Sequence, residues 1–178
     1  MPRRWMCAGA LAFTVVAHDG VRADDKPVKP EVEAHDEGPV QVGAITGQRL
    51  LDIEWQPGPF PGSRVATLAG DPKTGMHHTY LLLPKGARVP PHWHSAEEWV
   101  TVVEGTVLFG QGETFDEKAG RLFGPGSFLR IPARAPHYAW TKEQTILSQT
   151  RTGAVDFHWV HPEDDPALAK PPGETKEK

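Results

Sequence analysis

Residues 86–105 read GARVPPHWHSAEEWVTVVEG and place His92 and His94 on either side of a single residue. The segments around them are rich in β-branched and aromatic residues and are bounded by glycine, which predicts strands. Because alternate side chains of a strand share one face, both imidazoles are expected to point the same way and Trp93 the opposite way. A kink after His94 would bring the carboxylate of Glu98 to the same point.

This trio of side chains is a candidate metal site. Two neutral imidazoles and a carboxylate suit Mn, Fe, Ni, Zn or Cu and leave coordination positions open. A histidine-rich surface strand is the alternative interpretation of a bare HxH pattern, so a second histidine block is needed to decide between them.

That second block lies in residues 126–141, which read GSFLRIPARAPHYAWT. The first stretch, G-x5-HxH-x3-E-x6-G, resembles the first signature of the cupin superfamily at every position. The second resembles the other cupin signature, G-x5-PxG-x2-H-x3-N. Arg134 stands where that family usually has glycine, and Thr141 where it often has asparagine.

The resemblance covers roughly residues 45–160. It implies an all-β fold, the double-stranded β-helix or cupin jelly roll. It also implies one divalent transition metal per chain, and it carries the ligand roles over to His92, His94, Glu98 and His137. A homodimer is expected from this resemblance alone.

Residues 1–23 have the pattern of a secretory signal peptide. Residues 1–4 are basic, residues 5–17 form an apolar run too short to span a bilayer, and small residues precede Asp24. An anchor that is never cut is the alternative. Cleavage would remove Cys7, the single cysteine of the chain, and leave no thiol for a disulfide or a metal. We expect a periplasmic or secreted protein.

Charge excludes some partners. The first 23 residues carry three arginines and one aspartate, so their removal changes the net charge from −4 to −6. An acidic chain without a basic stripe argues against nucleic acid as a partner. No second apolar run reaches membrane length, so no membrane partner is expected after cleavage.

Composition divides the rest of the chain into three parts. We expect a flexible leader over residues 24–44, a cupin domain over residues 45–161 and a disordered tail over residues 162–178. Little helix is expected, because no window shows a 3.6-residue apolar period. Besides the motif stretch, strands are predicted at residues 50–55, 64–69, 77–83, 106–109, 127–131, 137–141, 145–150 and 155–160, with a loop over residues 110–124.

Residues 51–86 are similar to single-domain cupins related to the C-terminal half of ChrR-type anti-sigma factors. No counterpart of the zinc-binding N-terminal half of those regulators is recognisable here. A signal peptide also conflicts with control of a cytoplasmic sigma factor.

Strand parity predicts a pocket around the metal ligands. Val100 and Val102 share the face of Glu98, and Ala139 and Thr141 share that of His137. Such small and β-branched walls suit a small organic ligand. The arginines flanking the second motif are candidates to hold a substrate carboxylate, or else they are ordinary surface residues. They are Arg130 and Arg134.

Two function hypotheses follow. In the first, the protein is an exported metalloenzyme acting on a small molecule, with Glu98 as a ligand or a nearby catalytic base. Dioxygenase-type oxidation is the favoured reaction, and decarboxylase, lyase and isomerase reactions are the alternatives within this fold. In the second, the protein is a non-catalytic periplasmic metal or small-ligand binding or sensor protein.

Overall fold

Thirteen strands supply nearly all the regular structure of residues 40–168, which are the residues that the computed structural model describes. The strands are β1 (Val40–Val42), β2 (Ile45–Gly47), β3 (Gln56–Pro57), β4 (Arg64–Gly70), β5 (His77–Leu83), β6 (Arg88–Trp93), β7 (Glu98–Glu104), β8 (Val107–Gln111), β9 (Arg121–Phe123), β10 (Phe128–Ile131), β11 (His137–Thr141), β12 (Thr145–Arg151) and β13 (His158–Trp159). Single turns of 3₁₀ helix occur at Leu50–Asp52, Pro162–Asp164 and Pro166–Leu168. The predicted signal peptide, most of the leader and the end of the tail lie outside the described residues.

Two antiparallel sheets form the body of the fold. One has six strands in the order β10-β7-β12-β5-β4-β3, and the other has five in the order β13-β6-β11-β8-β9. Their facing apolar side chains form a shared core, in which each fully buried valine or leucine contributes roughly 1.5–3 kcal/mol. The core includes Leu81, Leu83, Val100, Val102, Ile131 and Leu147 from the first sheet and Val89, Val107 and Ala139 from the second. The predicted all-β jelly roll is confirmed.

Strand placement decides where the polar residues meet. Strands β6 and β11 are neighbours in the five-stranded sheet, and His92 pairs directly with His137. Strands β7 and β12 are neighbours in the six-stranded sheet, and Glu98 pairs directly with Arg151. Both pairs therefore lie where the two sheets face each other.

The prediction of a strand at residues 50–55 is wrong. Residues 50–52 form a 3₁₀ turn, and residues 53–55 have no regular structure. Arg49 donates to the Asp52 carboxylate at 2.5 Å, three residues away, and this contact closes the turn. The apolar Leu51 is 94% exposed, so the run that suggested a strand is not a core segment.

Other boundaries also differ from expectation. The predicted strand at residues 155–160 is reduced to β13, and the predicted loop at 110–124 contains β9, which pairs with β8. Residues 40–42 of the predicted leader form β1, which pairs with β2 in a separate two-stranded sheet. Strands β5 and β11 have the predicted boundaries.

The aromatic residues that alternate with His137 pack against the 110–120 loop. Tyr138 is 1% exposed, and its hydroxyl donates to the carbonyl of Asp116 at 3.0 Å. The ring of Phe115 lies 5.0 Å from that of Tyr138 and 5.4 Å from that of Trp140. Tyr138 and Trp140 are thus buried but lie outside the apolar cluster between the sheets. Within residues 40–168, no helix has the length and apolarity to cross a membrane.

Candidate metal centre

Three histidines converge between the sheets. His92 lies on β6, His137 lies on β11, and His94 follows β6 directly. The ring centroid of His92 is 4.9 Å from that of His94 and 4.3 Å from that of His137. One ring nitrogen from each histidine lies within 4.8 Å of the others, and all three residues are buried. The predicted histidines are therefore brought to one point.

Each imidazole is oriented by a backbone carbonyl. The Nδ1 atoms of His92, His94 and His137 lie 2.7, 2.5 and 3.0 Å from carbonyl oxygens. The accepting residues are Pro90, Asp156 and Ala135, respectively. Because a carbonyl can only accept, each Nδ1 carries the proton and each Nε2 presents a lone pair. In His94 that lone pair accepts from Arg151 Nη2 at 3.3 Å. We infer that the three Nε2 atoms are the ligand atoms.

Burial keeps the three rings neutral. Desolvation is the largest cause that lowers the pKa of His92 well below its usual value, and the neighbouring histidines add to it. Desolvation, with the charge of Arg151 next, lowers the pKa of His94 to about 3. Desolvation also lowers the pKa of His137. Neutral imidazoles with aimed lone pairs are the form that binds a metal ion, so these residues fit one.

Glu98 lies beside the histidine cluster but is held by other residues. It begins β7 and is 1% exposed. Its Oε1 accepts from Gln149 Nε2 at 2.8 Å and from Arg151 Nε at 3.2 Å. Its Oε2 lies 3.5 Å from His94 Nε2. The converging set in the described part of the chain contains the three histidines and not Glu98. Its role as a ligand or base stays a prediction.

Arg151 is the functional candidate that sequence reasoning missed. It ends β12, opposite Glu98, and its Nη2 lies 3.1 Å from Glu98 Oε1 and 3.3 Å from His94 Nε2. Its guanidinium carbon stands 5.2 Å from the centre of the Phe157 ring. A usable signal was the alternation Leu147, Gln149, Arg151 in β12, which places polar groups on the inward face.

A cavity of about 410 Å³ opens beside the cluster. His92, His137, Glu98 and Arg151 line it, and most of its other walls are apolar. Those walls include Phe60, Leu81, Leu83, Val89, Phe109, Ala139, Leu147 and Phe157. An ion held by the histidines would therefore be within reach of a small molecule.

Of the four predicted pocket residues, Ala139 alone lines the cavity. Val100 and Val102 point inward but lie in the apolar core, at 0% and 1% exposure, away from the cavity lining. The Thr141 hydroxyl donates to the carbonyl of Pro84 at 2.7 Å and accepts from Ala87 N at 3.1 Å. Thr141 thus ties the end of β11 to the turn before β6.

Neither of the two predicted arginines lines this cavity. Arg130 is exposed, and its Nη2 lies 2.5 Å from the Glu97 carboxylate. It borders a second cavity of about 630 Å³ that also reaches His137. Arg134 is exposed in a turn that links the two motifs, where its N–H donates to the His94 carbonyl at 2.8 Å. Its φ of 61° is the conformation that glycine adopts easily, so the tight turn before His137 is kept.

The jelly roll and its histidine cluster define the molecule as a cupin. Residues 46–156 match the model of the ChrR Cupin-like domain. The match covers more than half of the chain, and the protein belongs to that family. A comparison with curated protein sequences gives no match.

Solved structures show the same fold. The polyketide cyclase RemF from Streptomyces resistomycificus aligns with a TM-score of 0.55 and 20% identity over 68% of this chain and 89% of the cyclase. An RmlC-like cupin from Shewanella frigidimarina aligns with a TM-score of 0.50 and 19% identity over 61% of this chain and 91% of its own. At these identities the likeness concerns the fold.

Proposed function

We propose that this protein is a metal-dependent enzyme in which His92, His94 and His137 hold one divalent transition ion and the adjacent cavity holds a small organic substrate. The observation that carries the proposal is the position of the histidine cluster. One ring nitrogen of each histidine converges within 4.8 Å of the others, and two of the three residues, His92 and His137, line a cavity of about 410 Å³. Three nitrogen ligands leave positions open, which is the arrangement of a catalytic site.

The ligand chemistry suits Fe, Mn, Ni, Zn or Cu. When bound, such an ion would supply Lewis-acid polarisation of a substrate oxygen and, if redox-active, dioxygen chemistry. We favour oxygen-dependent oxidation, because dioxygen is apolar and mainly apolar walls would admit it. The fold is also that of a polyketide cyclase, which is an enzyme.

The Glu98 carboxylate is the candidate proton acceptor of the cavity. Glu98 lines the cavity, and its Oε2 accepts no hydrogen bond from the described residues. Gln149 and Arg151 hold the other oxygen and so fix the carboxylate in place. Glu98 Oε2 is therefore available to take a proton from a bound molecule.

Aromatic side chains make the surroundings of the cluster apolar. Phe60, Phe157 and Trp159 surround His92, with ring centroids 6.2, 5.4 and 5.5 Å from its own. Phe157 also lies 4.9 Å from the ring of His94. An apolar surround strengthens electrostatic interactions inside the site.

Residues 1–23 support an exported enzyme, located in the periplasm or outside the cell. Determination of the mature N-terminus from the source cells tests this, and a start near Asp24 is expected. The homodimer implied by the resemblance is tested by light scattering on the mature protein.

The enzyme proposal is tested by metal analysis and oxygen uptake on the purified protein. We expect about one transition ion per chain and oxygen consumption with part of a panel of small organic substrates. The His94→Ala variant should lack both. A redox-active ion bound in full, with no oxygen uptake across the panel, would count against the oxidation.

A binding or sensor protein is the second candidate. It is favoured by one observation: Glu98 is the single carboxylate among the residues lining the described cavity, and Arg151 and Gln149 already engage it. Bound zinc together with no turnover of any substrate would support this candidate, because zinc has no redox chemistry.

A further inference from the structure

The guanidinium of Arg151 has spare donors inside the cavity. Glu98 takes the edge formed by Nε and Nη2, and Nη2 also lies 3.3 Å from His94 Nε2. Nη1 makes no hydrogen bond with any residue in the described ranges. Arg151 is only 7% exposed, and it lines the cavity. A donor of a nearly buried arginine that faces the cavity without a protein partner can bind an acceptor that comes with a ligand.

The charge of the cavity points the same way. Its charged lining residues are Arg151, Lys73 and Glu98, which together leave one positive charge while the histidines are neutral. An ion on the histidines adds to this positive charge. An ion bound to His94 Nε2 would also displace Arg151 Nη2 from that nitrogen, and Nη2 would then be a second free donor of Arg151.

The remaining walls restrict what kind of anion can enter. Phe60, Phe109 and Phe157 line the cavity together with leucine and valine side chains. Burying a multiply charged molecule against such walls is costly, whereas an apolar body gains free energy there. The volume of about 410 Å³ lies within the range of small-molecule sites.

We propose that the cavity takes an organic monoanion with an apolar body, and that its carboxylate-like end accepts hydrogen bonds from Arg151 Nη1 beside the histidine cluster. The position of the metal in this inference rests on the proposed function, whereas the contact with Arg151 does not depend on it. Arg151, and not Arg130 or Arg134, is then the expected carboxylate anchor.

Calorimetric titration with three probes tests the proposal. The probes are phenylacetate, its neutral amide phenylacetamide and acetate, added to zinc-loaded and to chelator-treated full-length protein. Phenylacetate is expected to bind at least about tenfold more tightly than either of the other two, because a hydrogen bond to a charged group and the apolar contacts both contribute. Equal affinity for phenylacetate and phenylacetamide would overturn the proposal.

The variant Arg151→Met should weaken phenylacetate binding at least about tenfold and leave phenylacetamide binding nearly unchanged. Arg130→Met is the matched control, since it removes the same charge from an exposed residue outside this cavity, and it should bind phenylacetate like the wild type. Unchanged phenylacetate affinity in Arg151→Met would refute the assigned contact.

A further pair of variants protects the test from misfolding. Glu98→Gln leaves Arg151 without its competing carboxylate and should bind phenylacetate more tightly in chelator-treated protein. The double variant Glu98→Gln/Arg151→Met removes one charge of each sign, leaves the net charge of the lining unchanged and should lose that gain. A chain that binds no metal would defeat the proposed function, yet the comparison of acid and amide at Arg151 would still decide this inference.

Discussion

The two sheets bring different kinds of groups to the same place. The five-stranded sheet contributes His92 and His137 on paired strands, neutral rings whose lone pairs converge. The six-stranded sheet contributes Glu98 and Arg151, a buried ion pair on paired strands, together with Gln149. One sheet is thus suited to hold a cation, and the other sets the charge and the hydrogen-bond donors that face the cavity.

The largest effect is expected from the histidine side. His94→Ala removes one of three converging nitrogens and should abolish stoichiometric metal binding. The metal affinity should fall at least about 100-fold, which is more than the loss usually caused by mutating a residue that only hydrogen-bonds to a ligand. Metal analysis after dialysis and calorimetric titration measure this. His161→Ala is the control, because His161 is exposed and bonds to the Glu113 carbonyl. Retention of one ion per chain in His94→Ala would contradict the site.

The second effect concerns stability and pH. Burial lowers the pKa of His92, His94 and His137, so below pH 6.5 the unfolded chain binds protons that the native chain does not. The free energy of unfolding of metal-free protein should therefore fall as the pH drops below 6.5, by up to about 1.4 kcal/mol per pH unit for each histidine. Urea unfolding between pH 7.5 and 5 measures it.

The variant His94→Gln sharpens this test, because it should remove the contribution of one histidine from the pH dependence of the free energy of unfolding. For His94 the loss extends toward its pKa of about 3. A pH dependence identical to that of the wild type would show that His94 is protonated equally in both states.

The third effect comes from the opposite sheet. Glu98→Gln leaves the buried Arg151 without a negative partner, which should lower the free energy of unfolding by about 3 kcal/mol. Metal affinity should change less than about tenfold, because Glu98 lies outside the converging set. Urea unfolding and metal titration on one preparation give both values. A loss of metal as large as in His94→Ala would make Glu98 a ligand.

The smallest effect is expected at the turn inside the second motif, just before His137. Arg134 has a φ of 61°, a conformation that costs a residue with a side chain roughly 1 kcal/mol. Arg134→Gly should therefore raise the free energy of unfolding by up to about 1 kcal/mol and leave metal and phenylacetate binding intact. Thermal and urea unfolding measure the gain, and Arg134→Ala, which keeps a Cβ, should not show it.

The three histidines could be predicted because short stretches of sequence are enough to identify them. Strand periodicity places His92 and His94 on one face, and motif spacing supplies His137 as their partner. Glu98 lies beside the histidines, 3.5 Å from His94 Nε2, but nothing in the sequence indicated its partners. Arg151 lies 53 residues further along the chain, and only the pairing of β12 with β7 brings it opposite Glu98. No short motif encodes that register.

Errors in the strand assignment have a similar origin. The apolar residues at 50–55 satisfied a local preference for strand, but the contact between Arg49 and Asp52 and the lack of a partner strand produced a turn. Strand β9 has only three residues and owes its structure to pairing with β8. Tertiary contacts override weak local propensity in such segments.

The carbonyl anchors of the three imidazoles have a consequence for how this protein can change over evolution. In many metalloproteins a carboxylate side chain orients a histidine ligand, and a single substitution can remove that acceptor. Here Pro90, Ala135 and Asp156 do so through their main chains, which every amino acid possesses. Substitution at those positions leaves the carbonyl acceptor in place. Sequence changes among descendants should therefore concentrate on the cavity walls and on Arg151, while the orientation of the imidazoles is kept.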